Sequence, residues 1–304
     1  MSLDLRQNWL LINQFQLKIY KSNGDEFQNL FNQIMKRKNR DFNLVKPQGR
    51  IGDKGNDGYT PTNKTYYQVY GPENFDKSIK YAVDKLETDF EKAIQYWQVE
   101  AFYYVVNDKY NSEGLYTDIH TKLNELRVKY PNIDIGIYIA SDLEQDFMRL
   151  NINDQLAIVG NGLILPEQID ELCLTELDKI IQHLKINILS TEIPDRFNRA
   201  EFDNKIIINN LNEINKDYLT YGSYFIGALD EYFSKFPEDK RNLRKYYSIL
   251  YNDFKIQITD SNKIFNAIFA RTLPNQEIKN IKAQNSIRIM MSYYFESCDI
   301  FESE

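Results

Sequence analysis

Phe27, Leu30, Phe31, Ile34 and Met35 recur at the spacing of one helix face, which predicts a helix over 24–38. Asp25 and Glu26 open that segment, and Lys36, Arg37 and Lys38 close it, as the helix dipole favours. Residues 49–64 are polar and Gly-rich and carry turn chemistry. The β-prone run Thr65–Tyr70 follows and stops at Gly71-Pro72. Ile79, Val83, Leu86, Phe90, Ala93 and Trp97 then mark the buried stripe of a long helix over 75–98. Phe102–Val106 and Ile133–Ala140 read as buried strands, with a helix over Leu115–Lys129 between them. Ser141–Glu144 reads as a capping box that opens a short helix, and Leu156–Val159 as a last strand. Strands separated by helices of this length need crossover connections, so the sheet is expected to be parallel or mixed.

The pattern changes after Gly160-Asn161-Gly162. Residues 166–184, 210–235, 239–254 and 276–296 read as helices, interrupted by the β-prone stretch Lys205–Ile208. The predicted architecture is an α/β N-terminal domain (residues 1–162), with a central mixed sheet flanked by helices. A mainly α-helical C-terminal domain (residues 163–304) follows it. The sequence contains no internal repeat and no low-complexity segment.

Composition narrows the class of protein. The chain has 304 residues, of which 42% are hydrophobic, with 22 Tyr and 18 Phe. That is ample for a core and excludes a disordered chain. The net charge of −7 argues against a broadly basic nucleic-acid coat. Residues 36–50 nevertheless hold Lys36, Arg37, Lys38, Arg40, Lys46 and Arg50 against the single acid Asp41. This is either a phosphate-binding patch or the solvated end of a helix. Cys173 and Cys298 stand far apart, so no disulfide framework is expected and a reducing compartment is. No apolar run reaches membrane-spanning length and the N-terminus lacks a signal-peptide pattern, so the expected location is the cytoplasm.

Several chemistries drop out. Two His and two Cys, widely separated, do not build a Cys/His zinc site. The chain has no G-x-S-x-G elbow, no Walker A loop and no dinucleotide fingerprint. DKGNDG at 53–58 fails as a calcium loop, because Gly55 stands at its third position and Lys64 at its twelfth. His120 and His183 are assigned ordinary structural roles. The informative pair is Asp57, before one strand, and Gln68, on the next. Together they set a carboxylate and an amide at one sheet edge, where oxygen ligands can hold a divalent cation. The Val69 carbonyl is a further candidate oxygen, and Glu26 borders the apolar face of the preceding helix. The plain alternative is a turn Asp and a strand Gln. Arg50 and Asp53 flank the acid, either to steer phosphate or to order the turn.

These residues resemble the pattern of the PD-(D/E)xK, or restriction-endonuclease-like, nuclease superfamily. Asp57 matches its acid, Gln68 its Glu/Gln position and Glu26 its helical Glu. Tyr70 stands where the pattern has Lys, and Lys85 or Lys80 on the following helix is the candidate substitute; Lys54 and Lys64 sit in turns. More extensively, FQNLFNQIM, GRIGDKGNDGY, YYQVYGPE, KLETDFEKAIQYW and FYYVVND look like the N-terminal module of bacterial ABC-three-component defence proteins. The terminal MMSYYFESCDIFE is similar to the end of their C-terminal domain. The resemblance implies a metal-dependent DNA nuclease effector of a multi-component anti-phage system, with Asp57, Gln68, Lys85 and Tyr70 as catalytic residues. Glu26, Asp57 and Gln68 would hold Mg²⁺ or Mn²⁺. Lys36, Arg37, Lys38, Arg40 and Arg50 would contact the DNA backbone. An SMC- or ABC-type ATPase and a small middle component would be its partners. The competing reading is a catalytically inactive, nuclease-like DNA-binding or assembly adaptor, and action on RNA or a nucleotide is a third. Tyr293, Tyr294, Phe295 and Phe301 are either core or a partner surface, and Cys298 is a small buried hydrophobe.

Overall fold

A computed structural model describes residues 5–45, 55–74, 76–111, 117–160, 166, 169, 172–185, 202–297 and 299–303. Lys46, Arg50, Asp53, Lys54 and Cys298 lie outside these residues. The chain divides into two compact units, residues 21–161 and residues 1–20 together with 162–304.

The first unit starts with α2 (Gly24–Lys38), preceded in the chain by α1 (Leu5–Lys21). Strands β1 (Asn43–Leu44), β2 (Gly58–Thr60) and β3 (Thr65–Tyr70) pair antiparallel in sequence order. Helix α3 (Ile79–Tyr96) crosses over to β4 (Ala101–Val106), and α4 (Thr117–Lys129) crosses over to β5 (Asp134–Tyr138). Both of these strands join in parallel, giving a five-stranded mixed sheet in the order β1-β2-β3-β4-β5. Helices α5 (Ala140–Arg149) and α6 (Ile152–Val159) complete the unit.

The apolar stripe of α3 (Ala82, Leu86, Phe90, Ala93) packs with Tyr66, Phe102, Tyr104 and Val106 and with Ile119, Leu123 and Leu126 of α4. The Phe31 ring of α2 meets Tyr67, Phe42 and Tyr138 at centroid distances of 5.4, 5.9 and 6.4 Å. Side chains alternate along a strand, so Tyr66, Gln68 and Tyr70 share the β3 face covered by α3.

The second unit is helical. It contains α1, α7 (Leu174–Lys185), α8 (Phe202–Ile208), α9 (Glu213–Ser223), α10 (Ile226–Lys235), α11 (Pro237–Gln257), α12 (Ser261–Thr272) and α13 (Ile281–Glu296). Every residue of α13 from Ala283 to Phe295 is buried, as expected of a helix surrounded by others. Tyr293, Tyr294, Phe295 and Phe301 belong to this core.

Five elements differ from the sequence-based expectation. Leu156–Val159 is the end of helix α6, nucleated by Asn151, whose side chain accepts from the Asp154 N–H at 3.1 Å. Lys205–Ile208 is helical in α8, with the Lys205 Nζ donating to the Phe295 carbonyl at 2.6 Å and Asn209 Nδ2 capping the Lys205 carbonyl at 2.7 Å. The segment 210–235 breaks into α9 and α10 at Tyr224-Phe225. Helix α1, expected within the first domain, groups with the helical unit. There Asn13 donates to Asn215 at 3.0 Å, and Asn266 donates to Asn13 at 3.1 Å and to Gln16 at 2.7 Å. Helix α5 begins at Ala140, with the Asp142 carboxylate accepting from the Ile139 N–H at 2.9 Å.

Candidate functional site around Asp57

The turn before β2 is built to bring Asp57 inward. Gly55 has φ +75°, and a Cβ there would run into the Asp89 carbonyl of α3. A Cβ on Gly58 would strike the Phe42 ring. Only glycine lets this backbone approach α3 so closely. The Asp57 N–H then bonds to the Tyr67 carbonyl at 2.8 Å, extending the β2–β3 ladder by one residue.

Asp57 is 6% exposed. Its Oδ2 accepts from Gln68 Nε2 at 2.7 Å and from the Val69 N–H at 2.8 Å. Its Oδ1 accepts from Gln28 Nε2 at 2.9 Å. The acid and the strand amide therefore converge as expected. Glu26 does not join them. It stands exposed on the first turn of α2, and no contact between it and Asp57 or Gln68 occurs among the described residues. Gln28, two positions on, makes the helical contact. Its signal was available: it borders the same apolar stripe, three residues before Phe31.

Polar atoms crowd this place without being satisfied. Gln68 Oε1 and both side-chain polar atoms of Asn56 are buried with no hydrogen-bond partner among the described residues. Buried amides are normally paired, so orphaned oxygens beside a carboxylate mark a place fit for a cation or water. No group of three or more His, Cys, Asp or Glu side chains is placed to hold a metal among the described residues. The available donors are one carboxylate and amide oxygens. That set suits Mg²⁺, a hard cation that uses one or two carboxylates and takes its other ligands from water and phosphate.

Lys85 pairs with Asp89 one turn along α3. Burial disfavours its charged form, but the hydrogen bond and charge of Asp89, and then the charge of Asp57, hold its pKa above the ordinary lysine value. It is therefore a cation within electrostatic reach of Asp57, engaged by another acid. Tyr70, at the position of the pattern's Lys, is half-buried. Its ring stacks on Tyr104 at 6.3 Å and meets Tyr81 at 5.7 Å. Lys80 is exposed at the start of α3, and Lys64 pairs with Glu100 at 2.7 Å.

The basic run is partly consumed within the unit. Arg37 pairs with Asp154 at 3.1 Å, and Lys38 pairs with Asp146 at 2.6 Å. Lys36 and Arg40 are exposed. His120 is exposed on α4 and takes no part in the site.

Comparison with known proteins reaches the helical unit. Residues 175–302 match C-terminal domain 10 of the ABC-three component (ABC-3C) systems. The match supports membership of an ABC-3C system, of which this chain would be one component among several. No curated protein and no solved structure matches the chain. None of the described helices is long and apolar enough to cross a membrane.

Proposed function

We propose that the chain is a metal-dependent nuclease effector of a multi-component anti-phage defence system, with the helical unit serving its partners. The observation that carries this reading is the contact of Asp57 with Gln68 within an α–β–β–β–α–β order, with the acid just before β2 and the amide on β3. The similarity of residues 175–302 to an ABC-3C C-terminal domain supports the defence context. An SMC- or ABC-type ATPase and a small middle component are the proposed partners.

In this reading Asp57 and Gln68 hold Mg²⁺ or Mn²⁺. When bound, the ion would polarise the scissile phosphate and lower the pKa of water. Gln28 and the Val69 N–H fix the carboxylate's orientation. Lys85 sets positive charge beside the site, where negative charge grows on the phosphate as the attack proceeds. Incubating the full chain with plasmid DNA and Mg²⁺ or Mn²⁺ tests the reading, with Asp57→Asn as control. Cleavage that survives Asp57→Asn rejects it.

The engagement of Lys85 by Asp89, together with Tyr70 at the Lys position, favours a second reading: an inactive, nuclease-like adaptor that binds DNA or partners. That reading predicts binding that is indifferent to chelator and no cleavage in the presence of the ATPase partner.

A further inference from the structure

The rings of Tyr104, Tyr70 and Tyr81 form a column that runs from the core to solvent. Tyr104 is fully buried, Tyr70 stacks on it with planes 12° apart, and Tyr81 leans on Tyr70 with planes 44° apart. Tyr81 ends the column 62% exposed. Tyr70 is two residues after Gln68 on the same face of β3, about 7 Å along the strand. Tyr81 lies one turn before Lys85 on α3. The column therefore emerges beside the Asp57–Gln68 contact.

Three lysines, Lys77, Lys80 and Lys85, and three acids, Glu73, Asp76 and Asp84, flank Tyr81 in the chain. Lys77 and Lys80 are exposed, and neither makes an ion pair among the described residues. Of the acids, Glu73 and Asp84 are exposed and pair with neither lysine among those residues. Both lysines stand at the positive end of an 18-residue helix. In the basic run of α2, by contrast, Arg37 and Lys38 are already bound to acids.

We propose that Tyr81, backed by Tyr70, is a stacking platform for an unpaired nucleobase, with Lys77 and Lys80 holding the flanking phosphates, so that the site takes single-stranded nucleic acid. A base within a duplex is stacked on its neighbours and offers no face to a protein ring. An unpaired one does, and an exposed aromatic beside backbone-binding cations is how single strands are held. This inference rests on the reading of Asp57 and Gln68 as a phosphodiester site and names its substrate class.

The test is fluorescence anisotropy of the full chain with a labelled oligothymidine of about 16 nucleotides and with its duplex, in chelator and at several salt concentrations. The wild type should prefer the single strand. Tyr81→Ala should weaken single-strand binding about tenfold and leave duplex binding unchanged, whereas Tyr81→Phe should stay within about twofold. Replacing Lys77 and Lys80 by Gln should weaken both and reduce the slope of log affinity against log salt by about 1.4. Wild-type preference for duplex, no binding, or single-strand binding untouched by Tyr81→Ala overturns the platform; an unchanged salt slope overturns the phosphate contacts. Binding in chelator is blind to cleavage. Retained cleavage by Asp57→Asn thus removes the hydrolase reading and leaves the platform to be judged by anisotropy alone.

Discussion

Asp57 is a hub of hydrogen bonds, and two substitutions at it should behave very differently. Asp57→Ala strands Gln68 Nε2 and the Val69 N–H, which are both buried, and Gln28 Nε2, which is half-buried. Each buried donor left without a partner costs about 1–3 kcal/mol. Counting the two buried ones, the loss is about 2–6 kcal/mol. Asp57→Asn is different because the bonds are distributed unevenly over the carboxylate. Gln68 and Val69 share Oδ2, and Gln28 reaches Oδ1. An asparagine oxygen at the Oδ2 position keeps the first two bonds. Its amide nitrogen then faces Gln28, whose own amide needs only to flip to accept. All three contacts survive, and the loss falls to about 1 kcal/mol.

The chain carries two tryptophans, Trp9 in α1 and Trp97 beside Tyr59 and Tyr66. In a Trp9→Phe background, Trp97 fluorescence therefore reports on the sheet unit alone. Urea titrations should place Asp57→Ala about 1–5 kcal/mol below Asp57→Asn, a gap of at least about 3 °C in a thermal melt. Equal midpoints for the two variants, or an Asp57→Ala protein as stable as the wild type, would refute the arrangement.

Other expectations follow from the same contacts. Gln28→Glu sets a second carboxylate against Asp57 and should lower the melting temperature in chelator, with recovery in millimolar Mg²⁺ or Mn²⁺; failure to recover counts against a cation site. Gly55→Ala adds a Cβ against the Asp89 carbonyl at a left-handed position, and should cost about 3 kcal/mol in urea titration and abolish cleavage. Arg288 is 4% exposed between the Tyr218 and Phe269 rings, at 4.1 and 4.5 Å, with Nε and Nη1 lacking hydrogen-bond partners among the described residues. Burial depresses its pKa, and Arg288→Met should raise stability by about 1–4 kcal/mol; a fall would mean that the two rings outweigh desolvation. Burial pushes the pKa of Tyr246 up to about 12, and burial with a bond to Asp134 does the same for Tyr103. Unfolded tyrosines release protons near pH 10 that these folded ones keep, so stability should decline from about pH 10 to about pH 12, as urea titrations and tyrosinate absorbance would show.

The two-part character of the chain was readable because apolar spacing switches from helix to strand and back within residues 24–140. What escaped was decided by polar groups. Helices α1 and α12 carry Asn13, Gln16 and Asn266 on their inward faces. A polar residue there breaks the apolar stripe until its partner, several helices away in the chain, is known. Arg37 and Lys38 looked like a phosphate patch for the same reason: their acids, Asp154 and Asp146, lie more than a hundred residues downstream. Helices α6 and α8 are short enough for one or two capping contacts to outvote β-propensity.

At the site the hairpin explains what was legible. Asp57 and Gln68 are joined by two antiparallel strands with Gly58 opposite Tyr67, so their spacing alone predicts that they meet. A helix offers no such certainty, because each residue turns the side chain by about 100°. Glu26 carried the expected charge, while Gln28 had the phase. The amide at Gln28 changes the physics of the site. A carboxylate there would repel Asp57 and make the fold depend on a cation, whereas Gln28 and Gln68 donate to Asp57 and let the unit close without one. Any cation entering must then compete with these hydrogen bonds, and Gln68 must turn its orphaned Oε1 toward it. Metal affinity and fold stability are thereby separated, which is why Asp57→Asn can remove one and spare the other.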